Sequence, residues 1–383
     1  MAPQPDGPHW ARRKQLVLLF LCVTGVSFFL WAVLDSESRD VDFNQFYAAG
    51  KLAGASRLYN WPAIRELELA HHNKAVPFGR LPAYAGVLKL LTYLEHERAR
   101  VVWLAANTIC LIAFAFLWPF QCRTGVLAAL CWSCPAAMLL AFGQDTAIFL
   151  FFAAASVWLL QRRQQFRAGV VLSLCAIKFH LAIALPVFLL AQRRWLVVLG
   201  GFVGVVAILG ASFAVEGPQW PIELLALSQT PEFSPAAARM PNLHGLTHGL
   251  PWAPVLEWAL AFSCLLALYL ISARADLTVA AAAALAAGLL VSHHAYVYDA
   301  VLLLPAVLWI LESDSPPLMR AWALLLCGPV PFFALLTERW WRLGQLVTNG
   351  FSIAFLLWLG LSVWERKGPQ LRSRFAIPSG PET

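Results

Sequence analysis

Acids, imidazoles and cations are costly wherever lipid surrounds them, so those an apolar chain retains are the first to question. Here the acids Asp40, Asp42, Asp145 and Asp299, the amides Asn44, Gln45, Gln144 and Asn242, and the cations Lys178 and Arg239 lie in or beside connections between apolar runs. So do His180, His244, His248, His293 and His294, with the phenols of Tyr47, Tyr296 and Tyr298. Carboxylates and imidazoles move protons, and cations beside them hold developing negative charge. Each residue also has a plainer reading. Asp42 could cap a helix or complement its dipole, and Asp40 could be a solvated loop acid. Gln144 could cap the following helix, Lys178 could snorkel to the membrane surface, and His180 could simply pack. Arg239 and His244 could be ordinary loop residues, and His294 and Asp299 could join Tyr296 and Tyr298 in an interfacial belt. None decides alone; their convergence on one side argues for a site. Cys131-Trp132-Ser133-Cys134 has redox or half-metal spacing, but it sits in an apolar run without a matching second pair and reads as packing thiols. The adjacent His293-His294 lacks zinc spacing, because neighbouring side chains on a helix diverge.

The elements that must position these residues follow from composition. Of 383 residues, 60% are hydrophobic and 13% charged, with 17 Trp and 25 Phe; mean hydropathy is +0.66. Soluble domains carry about a quarter charged residues, so a soluble enzyme, a coiled coil, a disordered chain and a disulfide scaffold are excluded. The chain reads as an all-α polytopic membrane protein forming a single domain over 1–383. A bilayer crossing needs about 20 apolar residues. Spans are expected at 15–34, 101–118, 126–142, 196–215, 255–272, 277–292, 321–336 and 349–364, with shorter ones at 147–160 and 300–312. The stretch 168–191 reads as one span with Lys178 near its centre, or as two short helices, 168–177 and 181–191, with Lys178 at the turn. The break gives twelve spans. It places fifteen basic residues inside: Arg12, Arg13, Lys14, Arg123, Arg162, Arg163, Arg167, Arg193, Arg194, Arg274, Arg320, Arg366, Lys367, Arg372 and Arg374. Only Lys178, Arg239, Arg339 and Arg342 fall outside, apart from the long first loop, so the positive-inside rule favours the break. Both termini, 1–14 and 365–383, are then cytoplasmic tails of a plasma-membrane protein. The outer loop 35–100 is expected to carry amphipathic helices lying at the interface, from Phe43, Phe46, Tyr47 and Leu52 and from Pro62 onward. The outer loop 216–254, rich in Pro and Gly, reads as irregular.

Several segments resemble glycosyltransferase family 87. They are DVDFNQFYAAGKLAGASRLYN, RLPAYAGVLKLL, FGQDTAIFLFF, RAGVVLSLCAIKFHLAIALPVFLLAQRRW, MPNLHGL and VSHHAYVYDAVLLLPA, in the family's order over roughly residues 40–310. The resemblance implies a GT-C membrane fold and transfer of a sugar, mannose or similar, from a polyprenyl-phosphate donor on the outer face. The acceptor would be a hydroxyl of a lipid or glycan. It implies Asp42 as catalytic base. Lys178-Phe179-His180 stands where the family often has Lys-Pro-Gln, which keeps the lysine and changes its neighbours. Lys178 is then the first candidate for the donor phosphate, followed by Arg239, His180 and His294, with His244, Gln144, Asn44, Tyr47, Tyr298 and Asp299 as further substrate contacts. A lipid-phosphate donor carries its own leaving group, so one carboxylate suffices for an inverting displacement. Neither a G-x-G-x-x-G nor a P-loop is present, and no cofactor, metal or nucleic-acid partner is expected. Alternative readings are a transporter or flippase of a lipid-linked or small solute, and a thiol oxidoreductase built on Cys131 and Cys134.

Overall fold

The computed structural model describes residues 41–71, 74–233 and 237–365, with the helical positions 16, 17, 19–21, 23–27 and 30. Asp40, part of the first expected span and the terminal tails, except Glu365 at the end of the last helix, lie outside the described residues. The described residues are helical and contain no strand. In chain order the helices are α1 (Val41–Leu52), α2 (Trp61–Leu69), α3 (Pro82–Leu88), α4 (His96–Leu117), α5 (Arg123–Trp132), α6 (Cys134–Phe142), α7 (Thr146–Gln161), α8 (Gln165–Ser173) and α9 (Ala184–Ala191). There follow α10 (Trp195–Glu216), α11 (Trp220–Ser228), α12 (Leu243–Thr247), α13 (Ala253–Ser272), α14 (Leu277–Val291), α15 (Leu304–Glu312), α16 (Pro317–Cys327), α17 (Val330–Leu336) and α18 (Trp341–Glu365).

Four of these, α4, α10, α13 and α18, are long and apolar enough to cross a bilayer. The count is six if each bent pair, α5 with α6 at 59° and α16 with α17 at 61°, forms one span. Two shorter apolar helices, α7 and α14, lie among them. The chain is thus a membrane-embedded helical protein, with four to six clear candidate crossings among the described residues where the hydropathy pattern suggested about twelve. Short and broken helices are tolerated where neighbours cover their free backbone groups. The Cys131-Cys134 run is such a break: Ser133 caps α6 through its hydroxyl to the Ala136 amide (3.3 Å), with Cys134 buried and Cys131 half-buried beside it.

The helix also breaks at Lys178. Residues Leu174–Lys178 tighten into a 3-10 turn, and α9 begins only at Ala184. Lys178 reaches Thr146 at the start of α7, whereas Arg162 and Arg163 follow its end, about 24 Å away at 1.5 Å per residue. Gln192 donates to the Ala275 carbonyl (3.0 Å), tying the Arg193-Arg194 turn to the turn that carries Arg274. The bundle therefore gathers its arginine turns at one end and its polar connections at the other.

Two expectations change. Instead of lying half in water, α1 is buried on every side from Asp42 to Gly50, because its polar residues also find partners inside the protein. The loop 216–254 is largely helical, with α11, α12 and two 3-10 turns; its prolines start helices, as Pro221 does in the first turn of α11. The expected helix over PAIRELELAHH is α2, capped by Asn60, whose side-chain oxygen accepts from the Ala63 amide at 3.0 Å.

Candidate active site

Four connections meet at the polar end of the bundle. The turn Gly143-Gln144-Asp145 joins α6 to α7. Gly143 has φ +73°, a left-handed conformation that L residues avoid. A Cβ there would lie 2.7 Å from the Cβ of Phe43, so the glycine lets α1 rest directly on the turn. The Trp103 indole of α4 donates to the Gly143 carbonyl at 2.7 Å and pins it.

Each residue after the glycine is used. Asp145 is fully buried and accepts from Arg80 through both oxygens, at 3.2 and 3.3 Å. Its other cation is Lys178, at 3.2 Å. Burial pushes the Asp145 carboxyl up, but Arg80 and then Lys178 hold it below the usual carboxylate range. The Lys178 ammonium also donates to Asp299 (2.6 Å), Thr146 (2.6 Å) and Gln144 (2.9 Å) and is itself 1% exposed. Thr146 donates to the same Asp299 oxygen at 2.6 Å, and the other Asp299 oxygen accepts from the Tyr296 amide at 2.9 Å. Two acids and two bases thus neutralise one another in the interior.

Lys178 takes the Gln144 carbonyl oxygen, which leaves the amide N–H groups for Asp42. Asp42, in the first turn of α1, is 8% exposed and also accepts from Gln45 at 3.4 Å. Burial pushes its carboxyl up to about 6, against the opposing pulls of the Gln144 hydrogen bond and of Lys178 and Arg80. Asp42 lines an open cavity of about 350 Å³. Gln144, Arg239, His294 and Tyr298 line it too, and Arg80, Tyr296 and Phe233 complete much of the wall. Arg239 is exposed on this wall.

The other expected residues stand elsewhere. Lys178 and Asp299 sit one layer behind the wall. His180 packs against His294, ring centroids 5.7 Å apart. Asn44 points away and pairs with His96 at 2.6 Å, and Tyr47 donates to the Leu94 carbonyl at 2.9 Å; both hold α1 to the start of α4. His244 lies in a separate cluster with Glu257 and His293. Sequence reasoning missed Arg80 as a site residue. It is one of several basic residues in the loop 35–100, and no spacing rule marks it; only the fold brings it to Asp145.

A buried carboxylate oriented by an amide, facing an open cavity with cations on its wall, suits proton abstraction from a neutral hydroxyl beside an anionic group. No curated protein and no solved structure matches the chain. The family model described as glycosyltransferase family 87 matches residues 82–305.

Proposed function

Because the chain belongs to glycosyltransferase family 87, we propose that it moves a sugar, mannose or similar, from a polyprenyl phosphate to a hydroxyl of a lipid or glycan acceptor, with inversion. The observation that carries this reading is the placement of Asp42 on the cavity wall, its carboxyl oriented by Gln144 and pushed up to about 6. Asp42 accepts the acceptor's hydroxyl proton as that oxygen bonds to the anomeric carbon. The bond from that carbon to the phosphate oxygen breaks, and the polyprenyl phosphate leaves with the bonding electrons. Arg239 and His294 are the wall groups assigned to the phosphate, while Arg80, fixed on Asp145, adds positive charge behind it. Lys178 acts through Gln144 rather than on the substrate, since its protons are taken up by Asp299, Thr146 and Gln144.

In this reading the cavity opens on the outer face of the plasma membrane, the single domain crosses about twelve times, and both termini are cytoplasmic. The gathering of arginine turns at the far end of the bundle supports that orientation.

The test is transfer from radiolabelled polyprenyl-phosphate sugars to a membrane lipid extract, by purified protein in lipid. Wild type is expected to form labelled product, and Asp42→Asn at least about 100-fold less, with unchanged thermal unfolding. Equal rates would remove Asp42 as the base, and no transfer from any such donor by folded wild type would overturn the reading.

A further inference from the structure

Away from the cavity wall, three side chains from three elements close on one point. His244 comes from α12, Glu257 from the second turn of α13, and His293 from the turn after α14. One carboxylate oxygen of Glu257 meets Nδ1 of His244 at 2.8 Å, and the other meets Nδ1 of His293 at 2.7 Å. The two imidazoles lie 3.9 Å apart between centroids. One donor atom from each of the three residues can be chosen so that all lie within 4.8 Å of one another. Glu257 is 12% exposed in its side chain, and its ion-pair partners are these two histidines. None of the three lines the Asp42 cavity.

We propose that His244, Glu257 and His293 bind one divalent ion of the zinc class, and that this ion staples the second outer segment to α13 and to the His293–Tyr296 turn. Two imidazole nitrogens and a carboxylate oxygen are the donor set of a zinc site that keeps one position open. Ligand bonds of about 2.0–2.2 Å require the three donors to draw in around the ion by small side-chain rotations. A second observation points the same way. The cluster opens onto its own cavity of about 250 Å³, whose wall includes His248, four residues after His244. His248 follows the last residue of α12, with its ring centroid 6.5 Å from that of Trp341, so the cavity leaves the open position to a water. The adjacent pair His293-His294 has no zinc spacing by itself. The fold splits it: His293 joins the cluster, while His294 lines the candidate active site. The ion would thus position the His294 side of the cavity without touching substrate. This inference does not rest on the glycosyltransferase reading.

The experiment uses full-length protein in lipid nanodiscs, stripped with a chelator, then given zinc or magnesium. Elemental analysis is expected to find one zinc per chain after washing, and thermal unfolding to rise by about 5 °C or more with zinc but not magnesium. Glu257→Gln and His293→Asn, which keep most of the packing and some hydrogen bonding, are each expected to lose both the bound zinc and the shift. Zinc-edge absorption of the loaded wild type, which needs no variant, is expected to show nitrogen and oxygen ligands with imidazole scattering. Substoichiometric zinc in wild type, a spectrum dominated by sulfur, or full zinc retention by both variants would overturn the proposal. The remaining reading would then be a histidine–carboxylate–histidine hydrogen-bond cluster without a metal.

Discussion

As the proposed base, Asp42 can act only when ionised, and burial has moved its carboxyl up to about 6. The proton it must lose is held more tightly than in water, so kcat/KM is expected to fall tenfold per unit as pH drops below about 6, and to level off above it. A transfer profile measured between about pH 4.5 and 8 checks this; a flat one would take Asp42 out of the reaction. Gln144 gives a sharper test. Its hydrogen bond pulls the Asp42 carboxyl down, so Gln144→Ala is expected to move the midpoint of the profile to higher pH. The same change frees the carboxylate to swing, and kcat at the plateau is expected to fall about tenfold to a hundredfold. Loss of rate with an unmoved midpoint would mean that Gln144 contacts substrate instead. The role proposed for Asp42 came from its place in a recognisable motif, since an acid at the start of a helix is ordinary by itself. The part played by Lys178 was only half legible. A lysine in an apolar run had to be special, but that its ammonium would be surrounded by Asp145, Asp299, Thr146 and Gln144 depends on residues up to 121 positions away.

At the level of elements, the site depends on how closely α1 approaches the α6–α7 turn. Gly143→Ala would place a left-handed backbone on a residue with a Cβ, at a cost of about 1–2 kcal/mol. It would also drive that Cβ into Phe43, the neighbour of Asp42. Thermal unfolding is expected to drop by several degrees, and transfer to fall at least tenfold even in protein that stays folded. Wild-type activity in the alanine variant would show that α1 has slack the packing does not suggest. The same helix shows where sequence patterns mislead. Asp42, Asn44 and Gln45 look like a solvent face, yet they turn to the cavity, to His96 and to Asp42 itself, so amphipathicity marked a functional interior rather than a water boundary. The prolines of the segment 216–254 misled for a related reason: Pro fits the first turn of a helix as well as a loop. The break at Lys178 was legible because an unbroken helix would bury a lysine at mid-membrane depth.

Across the whole molecule, Arg80, Asp145, Lys178 and Asp299 join the segment before α4 to three later connections in one balanced charge cluster. Lys178→Met would leave two buried carboxylates facing a single guanidinium, and removal of one partner from such a buried set costs about 3–5 kcal/mol. The variant is expected to unfold well below wild type in detergent, by ten degrees or more, before any question of activity arises; an unchanged midpoint would mean that water reaches the cluster. Hydropathy gave the membrane class and the separation of arginine turns from polar connections. The number of crossings was less legible, because α7, α8, α9, α14 and α15 are shorter than a bilayer demands and rely on neighbours. The cluster also orders events in time. A ribosome delivers Asp145 and Lys178 early, and Asp299 follows Lys178 only after 121 further residues. Until then the ammonium at the helix break lacks one of its carboxylates. Synthesis therefore runs well past the chain's midpoint before the acid that closes the cluster, Asp299, exists at all.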